Sequence, residues 1–179
     1  MPILPSNTLL NYSTSVGSIG NSNAGTSVGS LGKFISNTTI TPNTFLNLFP
    51  SLTGDQNIAG NVDYLCVFIL NTHPTLTWIA PKLWLSNKTA AATNIAVGLD
   101  PTGVSSAGSS SVQAVSVANT ALAPAGVVFS NPTSKASGLA IGDLAPNKCA
   151  AMWFRRTANN TGPINPDVFW TNIEGDSGQ

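Results

Sequence analysis

The chain has 179 residues, only 8 % of them charged, and its seven Lys and Arg balance its seven Asp and Glu. An ordinary soluble domain carries about 25 % charged residues, so this surface is charge-poor and lacks the clustered basic footprint that a nucleic-acid backbone requires. A neutral surface of this kind favours association, which points to a subunit of an assembly and argues against nucleic acid as a partner.

A hydrophobic fraction of 42 % and four Trp argue against disorder for most of the chain. Sixteen Gly and twelve Pro punctuate the whole length, and no window carries an amphipathic helical stripe. Short strands separated by frequent turns predict an all-β fold, a single antiparallel β-sandwich or barrel of jelly-roll or Ig-like type. No run reaches the 18 apolar residues of a membrane helix. Met1-Pro-Ile-Leu-Pro5 has neither the basic nor the apolar region of a secretory signal.

Residues 1–33 are rich in Ser, Gly and Asn, with single aliphatics, Val16, Ile19, Val28 and Leu31, spaced by small residues. Such a segment cannot fill a core alone. It reads either as a loose tail or as an extended N-terminal arm whose aliphatics pin into a neighbouring subunit, leaving residues 34–179 as the β-sandwich domain. Phe34-Ile35 and Thr38–Thr41 predict a first strand, and residues 51–63 a turn-laden connection.

The densest block of β-formers follows. Tyr64–Leu70 is a continuous apolar run, Asn71-Thr-His-Pro74 interrupts it with turn residues, and Leu76–Leu85 resumes it. Two such runs read as a hairpin or as a corner between two sheets. Residues 87–93 predict a polar loop, Asn94–Asp100 and Val112–Val117 alternate in the strand period, and Val104–Ser111 reads as an exposed, mobile tip. Gly142-Asp-Leu-Ala-Pro-Asn147 is a tight turn before a strand over Cys149–Thr157. Asp167–Ile173 predicts a closing strand, and Glu174–Gln179 a polar tail.

Candidate chemistry is sparse. His73 is the single histidine and lies in a turn before Pro74, where hydrogen bonding within the loop outweighs a catalytic role because no nucleophile motif accompanies it. His and Cys together number three, short of the four ligands of structural zinc. Asp55, Asp63, Asp100 and Asp143 sit in turn contexts without calcium-loop spacing, so neither a metal nor a cofactor is expected. Cys66 and Cys149 either bridge two sheets or, the favoured reading without an export signal, remain buried thiols. The Asn-X-Ser/Thr sequons at Asn11, Asn37, Asn87 and Asn159 read as chance in so Asn- and Thr-rich a chain. Arg155 and Arg156 point to opposite faces of a strand, so one of them can meet a partner carboxylate. Trp78, Trp84, Trp153 and Trp170 read as core, with a sugar-binding platform as the alternative.

Leu48-Phe-Pro-Ser-Leu-Thr-Gly-Asp-Gln-Asn57, Asp63–Phe68 with Asn71–Thr77, Leu139–Pro146, and Trp153-Phe-Arg-Arg-Thr157 together resemble structural proteins of tailed bacteriophages, most closely the capsid decoration (cement) proteins. The likeness covers roughly residues 45–175. It implies a non-enzymatic virion protein, made in the host cytoplasm, that sits on the outer shell and bridges capsomers. Its partners would be the major capsid protein and neighbouring copies of itself, as a homo-oligomer on the virion. The arm adds nothing to the likeness; from the residues themselves, Val16, Ile19, Val28 and Leu31 of the arm with Arg155 or Arg156 read as the partner-binding set, and the resemblance implies no catalytic residue, membrane or nucleic acid. A tail, neck or head-fibre component and a receptor- or carbohydrate-binding module are the alternatives.

Overall fold

The computed structural model describes residues 2–44, 46–86, 93–161 and 168–178. These form two antiparallel sheets and one short helix, α1 (Gly54–Ile58). The strands are β1 (Thr8–Thr14), β2 (Gly32–Thr39), β3 (Val62–Asn71), β4 (Thr77–Ser86), β5 (Thr93–Ser106), β6 (Ala114–Ser116), β7 (Leu139–Ala140), β8 (Lys148–Ala158) and β9 (Trp170–Gly178). The larger sheet has the order β5-β8-β3-β1-β2-β6 and curls into a nearly closed barrel; the smaller one, β7-β4-β9, packs outside it. The expected β-sandwich or barrel is therefore the observed fold.

β3 is the spine of the molecule. It pairs with β8 from Val62↔Thr157 to Leu70↔Cys149 and with β1 from Thr8↔Asn71 to Tyr12↔Val67. Its odd residues Leu65, Val67 and Ile69 face the smaller sheet, packing with Leu83, Leu85, Leu144, Met152 and Phe154. Its even residues Cys66, Phe68 and Leu70 face the barrel interior with Ile35, Ala107, Ala151 and Trp153. A strand buried on both faces has no position left for a polar side chain, which is why Tyr64–Leu70 reads as one apolar run. Burying each such aliphatic or aromatic side chain contributes roughly 1.5–3 kcal/mol, so the two-faced spine is a major contributor to stability. The turn at 72–76 is the corner between sheets, not a hairpin.

The smaller sheet turns on a bulge. β4 pairs with β9 at Thr77↔Gly178 to Ile79↔Asp176, slips, and resumes at Lys82↔Glu174. Ala80 takes φ +47° and donates its N–H to Asp143 Oδ1 at 2.7 Å. Pro81, which lacks an N–H for the ladder, is accommodated at the irregularity. On the far side of β4, Trp78 bridges Leu144 and Lys82–Leu83 pair with β7.

Three expectations change. The segment 1–33 is not an arm beside a separate domain, because β1 lies inside the larger sheet between β3 and β2. Its polar residues are buried with internal partners: Asn11 Nδ2 donates to the Ser36 carbonyl at 2.8 Å, and Ser13 Oγ accepts from Gly32 N–H at 2.8 Å. The stretch 104–111 is not a free tip, since Val104–Ser106 pair with β8 and Ala107 is fully buried. Residues 174–178, expected as tail, extend β9. The loop expected over 87–93 and the Asn87 sequon fall at 87–92, outside the described residues.

Candidate partner-binding surface

Between β1 and β2 the chain runs through residues 15–31, the Ser/Gly/Asn-rich stretch. It folds back on the barrel and is tied down by its backbone. Gly20 N–H donates to the Ser109 carbonyl (2.8 Å), Asn21 N–H to Ile35 (2.7 Å), Asn37 N–H to Asn23 (2.9 Å), Cys66 N–H to Ser30 (2.8 Å) and Val117 N–H to Leu31 (3.0 Å). Ser30 Oγ accepts from Ser13 N–H at 2.6 Å and donates to the Cys66 carbonyl at 2.5 Å. Lys33 Nζ caps the Ser15 and Gly17 carbonyls at 3.1 and 3.2 Å.

The composition follows from this close approach. A Cβ at Gly20 would lie 2.1 Å from the Ala107 carbonyl oxygen, so the backbone can come this near only with glycine. Small hydroxyl residues then satisfy the groups that the contact buries. On this fixed frame Val16 is 64 %, Val28 63 % and Ile19 43 % exposed, while Leu31 is half-buried. Three of the four aliphatics chosen from the sequence are thus presented to solvent by one ordered loop.

The two arginines divide. Arg156 is buried and internally committed: Nη2 and Nε reach Asp63 Oδ2 at 2.6 and 3.3 Å, Nη1 donates to the Pro50 carbonyl at 2.6 Å, and the guanidinium lies 4.7 Å from the Phe49 ring centre. It fastens the 40–61 connection to β3 and β8 and is withdrawn as a partner contact. Arg155 is half-exposed on β8, its guanidinium 5.2 Å from the Phe129 ring centre. It is positioned by a different element from the four aliphatics.

The thiols are free and buried. They share the barrel-facing side of adjacent strands but stand four positions apart in register, about 13 Å at strand rise, too far to bridge. Burial pushes both pKa values up. For Cys66 the nearby Asp100 carboxylate adds to burial, against a Ser13 hydrogen bond; Cys149 reaches about 11 despite Ser105 and Lys148. Neither supplies a thiolate nucleophile at neutral pH. His73 Nδ1 accepts from Leu76 N–H at 2.9 Å and Thr75 N–H at 3.2 Å, so the ring closes the turn at the sheet corner. It borders an open cleft of about 630 Å³ lined by Pro2, Leu4, Asn7, Pro74, Thr75 and Leu76, where it is the single titratable side chain. Among the described residues no group of three or more His, Cys, Asp or Glu is placed to hold a metal, and no helix is long and apolar enough to cross a membrane.

The tryptophans separate as well. Trp78 and Trp153 are buried, Trp84 is half-buried and Trp170 is 53 % exposed. Reading these from the sequence would have required the bulge at Ala80, which sets the faces of β4. No family model matches the chain, and no curated protein or solved structure matches it.

Proposed function

We propose that the protein is a non-enzymatic structural component of a tailed-phage particle that binds the outer capsid surface and reinforces contacts between major capsid subunits. The observation that carries this reading is the set of exposed aliphatics, Val16, Ile19 and Val28, held out from a loop whose backbone is bonded to the barrel at both flanks and its middle. Presenting apolar groups on a fixed frame lowers the ordering entropy that association must overcome. The charge-poor, net-neutral chain and the resemblance of Leu48–Asn57, Asp63–Phe68 and Leu139–Pro146 to phage virion proteins support the same reading. Many copies on a shell, each burying a modest area, raise the barrier to rupture together.

Co-sedimentation with capsids stripped of accessory proteins tests it. Saturable binding at a fixed ratio to the major capsid protein is expected, with Val16→Asp combined with Val28→Asp reducing binding at least tenfold while the Tm is unchanged. No binding, with the free protein assembling into rings or fibres, would move the protein to the tail, neck or head fibre.

A further inference from the structure

The outer face of the smaller sheet carries an arrangement that a capsid contact through the 15–31 loop does not use. After the bulge, Leu83 and Leu85 point into the core, so Lys82, Trp84 and Ser86 point out. On β9, Trp170, Asn172 and Glu174 share that outer side, because Trp170 stands opposite Ser86, Asn172 opposite Trp84 and Glu174 opposite Lys82. The hydrogen bond from Asn172 Nδ2 to Ser86 Oγ at 2.7 Å runs across one diagonal of this square. The two tryptophans occupy the other diagonal, with Cβ positions about 7–8 Å apart at sheet spacing.

We propose that this face is a binding platform for a neutral carbohydrate. The indoles of Trp84 and Trp170 offer two apolar surfaces on which the C–H faces of sugar rings stack. Between them, Asn172 Nδ2 donates to Ser86 Oγ and, at 3.4 Å, to the Trp170 carbonyl, which leaves the Asn172 carbonyl oxygen as an acceptor and the Ser86 hydroxyl as a donor. That is the pairing a sugar hydroxyl requires, since it both gives and takes a hydrogen bond. Among the described residues, Lys135 Nζ meets Glu174 Oε1 at 2.5 Å, Lys82 and Lys135 balance Glu174 and Asp176, and Asp143 lies beside them at the bulge. A face without an excess of basic side chains complements a neutral glycan rather than an anionic one. Trp170, the most exposed tryptophan, carries the larger share of the contact.

Affinity electrophoresis of the full chain through gels containing mixed-linkage β-glucan, galactomannan, dextran or pullulan tests the proposal, with iodide quenching of Trp fluorescence as a second readout. Retardation by at least one polysaccharide is expected, with protection of the exposed indole from iodide. Trp170→Ala should weaken binding at least tenfold, Trp84→Ala should weaken it as well, and Trp170→Phe should retain part of it, all with a native far-UV circular dichroism spectrum. Free migration in all four gels would overturn the proposal. So would equal retardation of the wild type and Trp170→Ala, or a Trp170→Ala defect confined to capsid co-sedimentation. Capsid binding through Val16 and Val28 is read separately and stands or falls independently.

Discussion

Asp100 Oδ2 accepts the indole N–H of Trp153 at 2.9 Å inside the barrel. The same oxygen accepts Val115 N–H at 2.9 Å, and Oδ1 accepts Thr102 N–H at 2.9 Å. One buried carboxylate therefore joins β8, the edge strand β6 and the irregular segment of β5, where pairing slips between Leu99 and Val104. β5 and β6 are the two ends of the curled sheet, so this contact spans the gap that strand pairing leaves open. The cost of burying a charge is offset by three N–H donors.

Asp100→Asn tests that account. The amide turns one acceptor oxygen into a donor, and that donor faces an N–H it cannot satisfy. A buried mismatch of this kind costs about 1–3 kcal/mol. Urea denaturation should show a lower midpoint with an unchanged slope, and Trp153 emission should shift. A wild-type midpoint would show that closure does not depend on this carboxylate.

Gln113 closes the same gap nearer the barrel end. Its Oε1 accepts Ile35 N–H at 3.0 Å, and its Nε2 donates to the Ser106 carbonyl at 2.7 Å and the Ala107 carbonyl at 3.2 Å. Gln113→Ala removes these bonds and leaves a void in a fully buried position, for which a loss of about 2–4 kcal/mol follows. Hydrogen exchange should accelerate at Ile35 and Ala107 while the β3–β8 ladder keeps its protection. Uniform acceleration would instead mean that the seam has no separate opening.

The strands buried on both faces were legible in the sequence, because the central runs Leu65–Leu70 of β3 and Cys149–Phe154 of β8 are buried throughout and leave no position free for a polar side chain. β1 was not, since Asn11, Ser13 and Thr14 are buried polar residues whose partners, such as Ser36 and Gly32, lie far along the chain. The aliphatics of the candidate surface were visible as a spacing, but the backbone bonds that fix their loop are not written in side-chain pattern. Arg156 reads as an open cation because its partner Asp63 is a cross-strand neighbour 93 residues away. Trp78 and Trp84, both even-numbered in one strand, fall on opposite faces because of one bulge at Ala80; Pro81 marks the irregularity in the sequence, but its effect on the register, which decides the faces, is not written there.

That bulge gives a stabilising substitution. Ala80 holds φ +47°, a left-handed conformation that costs an L-residue roughly 1–2 kcal/mol. Glycine adopts it freely but loses about 0.5–1 kcal/mol more entropy on folding. The balance favours Ala80→Gly by about 0.5–1 kcal/mol, a rise in Tm of about 2–4 °C at the upper end for a chain of this size. Asp143→Ala, which removes the acceptor of Ala80 N–H, should lower the Tm. A fall in Tm for Ala80→Gly in calorimetry would contradict the strain argument.

The thiols make stability fall at alkaline pH. Cys149 ionises near 9.0 when unfolded and at about 11 when folded, chiefly because burial penalises the thiolate. Below pH 9 both states hold the proton and the group adds no pH dependence. Between about pH 9 and 11 the unfolded chain releases it while the folded chain keeps it, so unfolding is favoured as pH rises. A separation of this size corresponds to about 2–3 kcal/mol once pH 11 is passed. Cys66, whose thiol is also raised by burial and by Asp100, adds a loss of the same sign. Denaturation midpoints measured from pH 8 to 11 should fall for the wild type and fall less steeply for Cys149→Ala, the comparison removing the contribution of Tyr12, which burial also raises. The native thiols should resist a disulfide reagent at pH 8, and two should react on unfolding. Equal slopes for the two proteins, or prompt native reactivity, would place Cys149 in contact with solvent and contradict its burial.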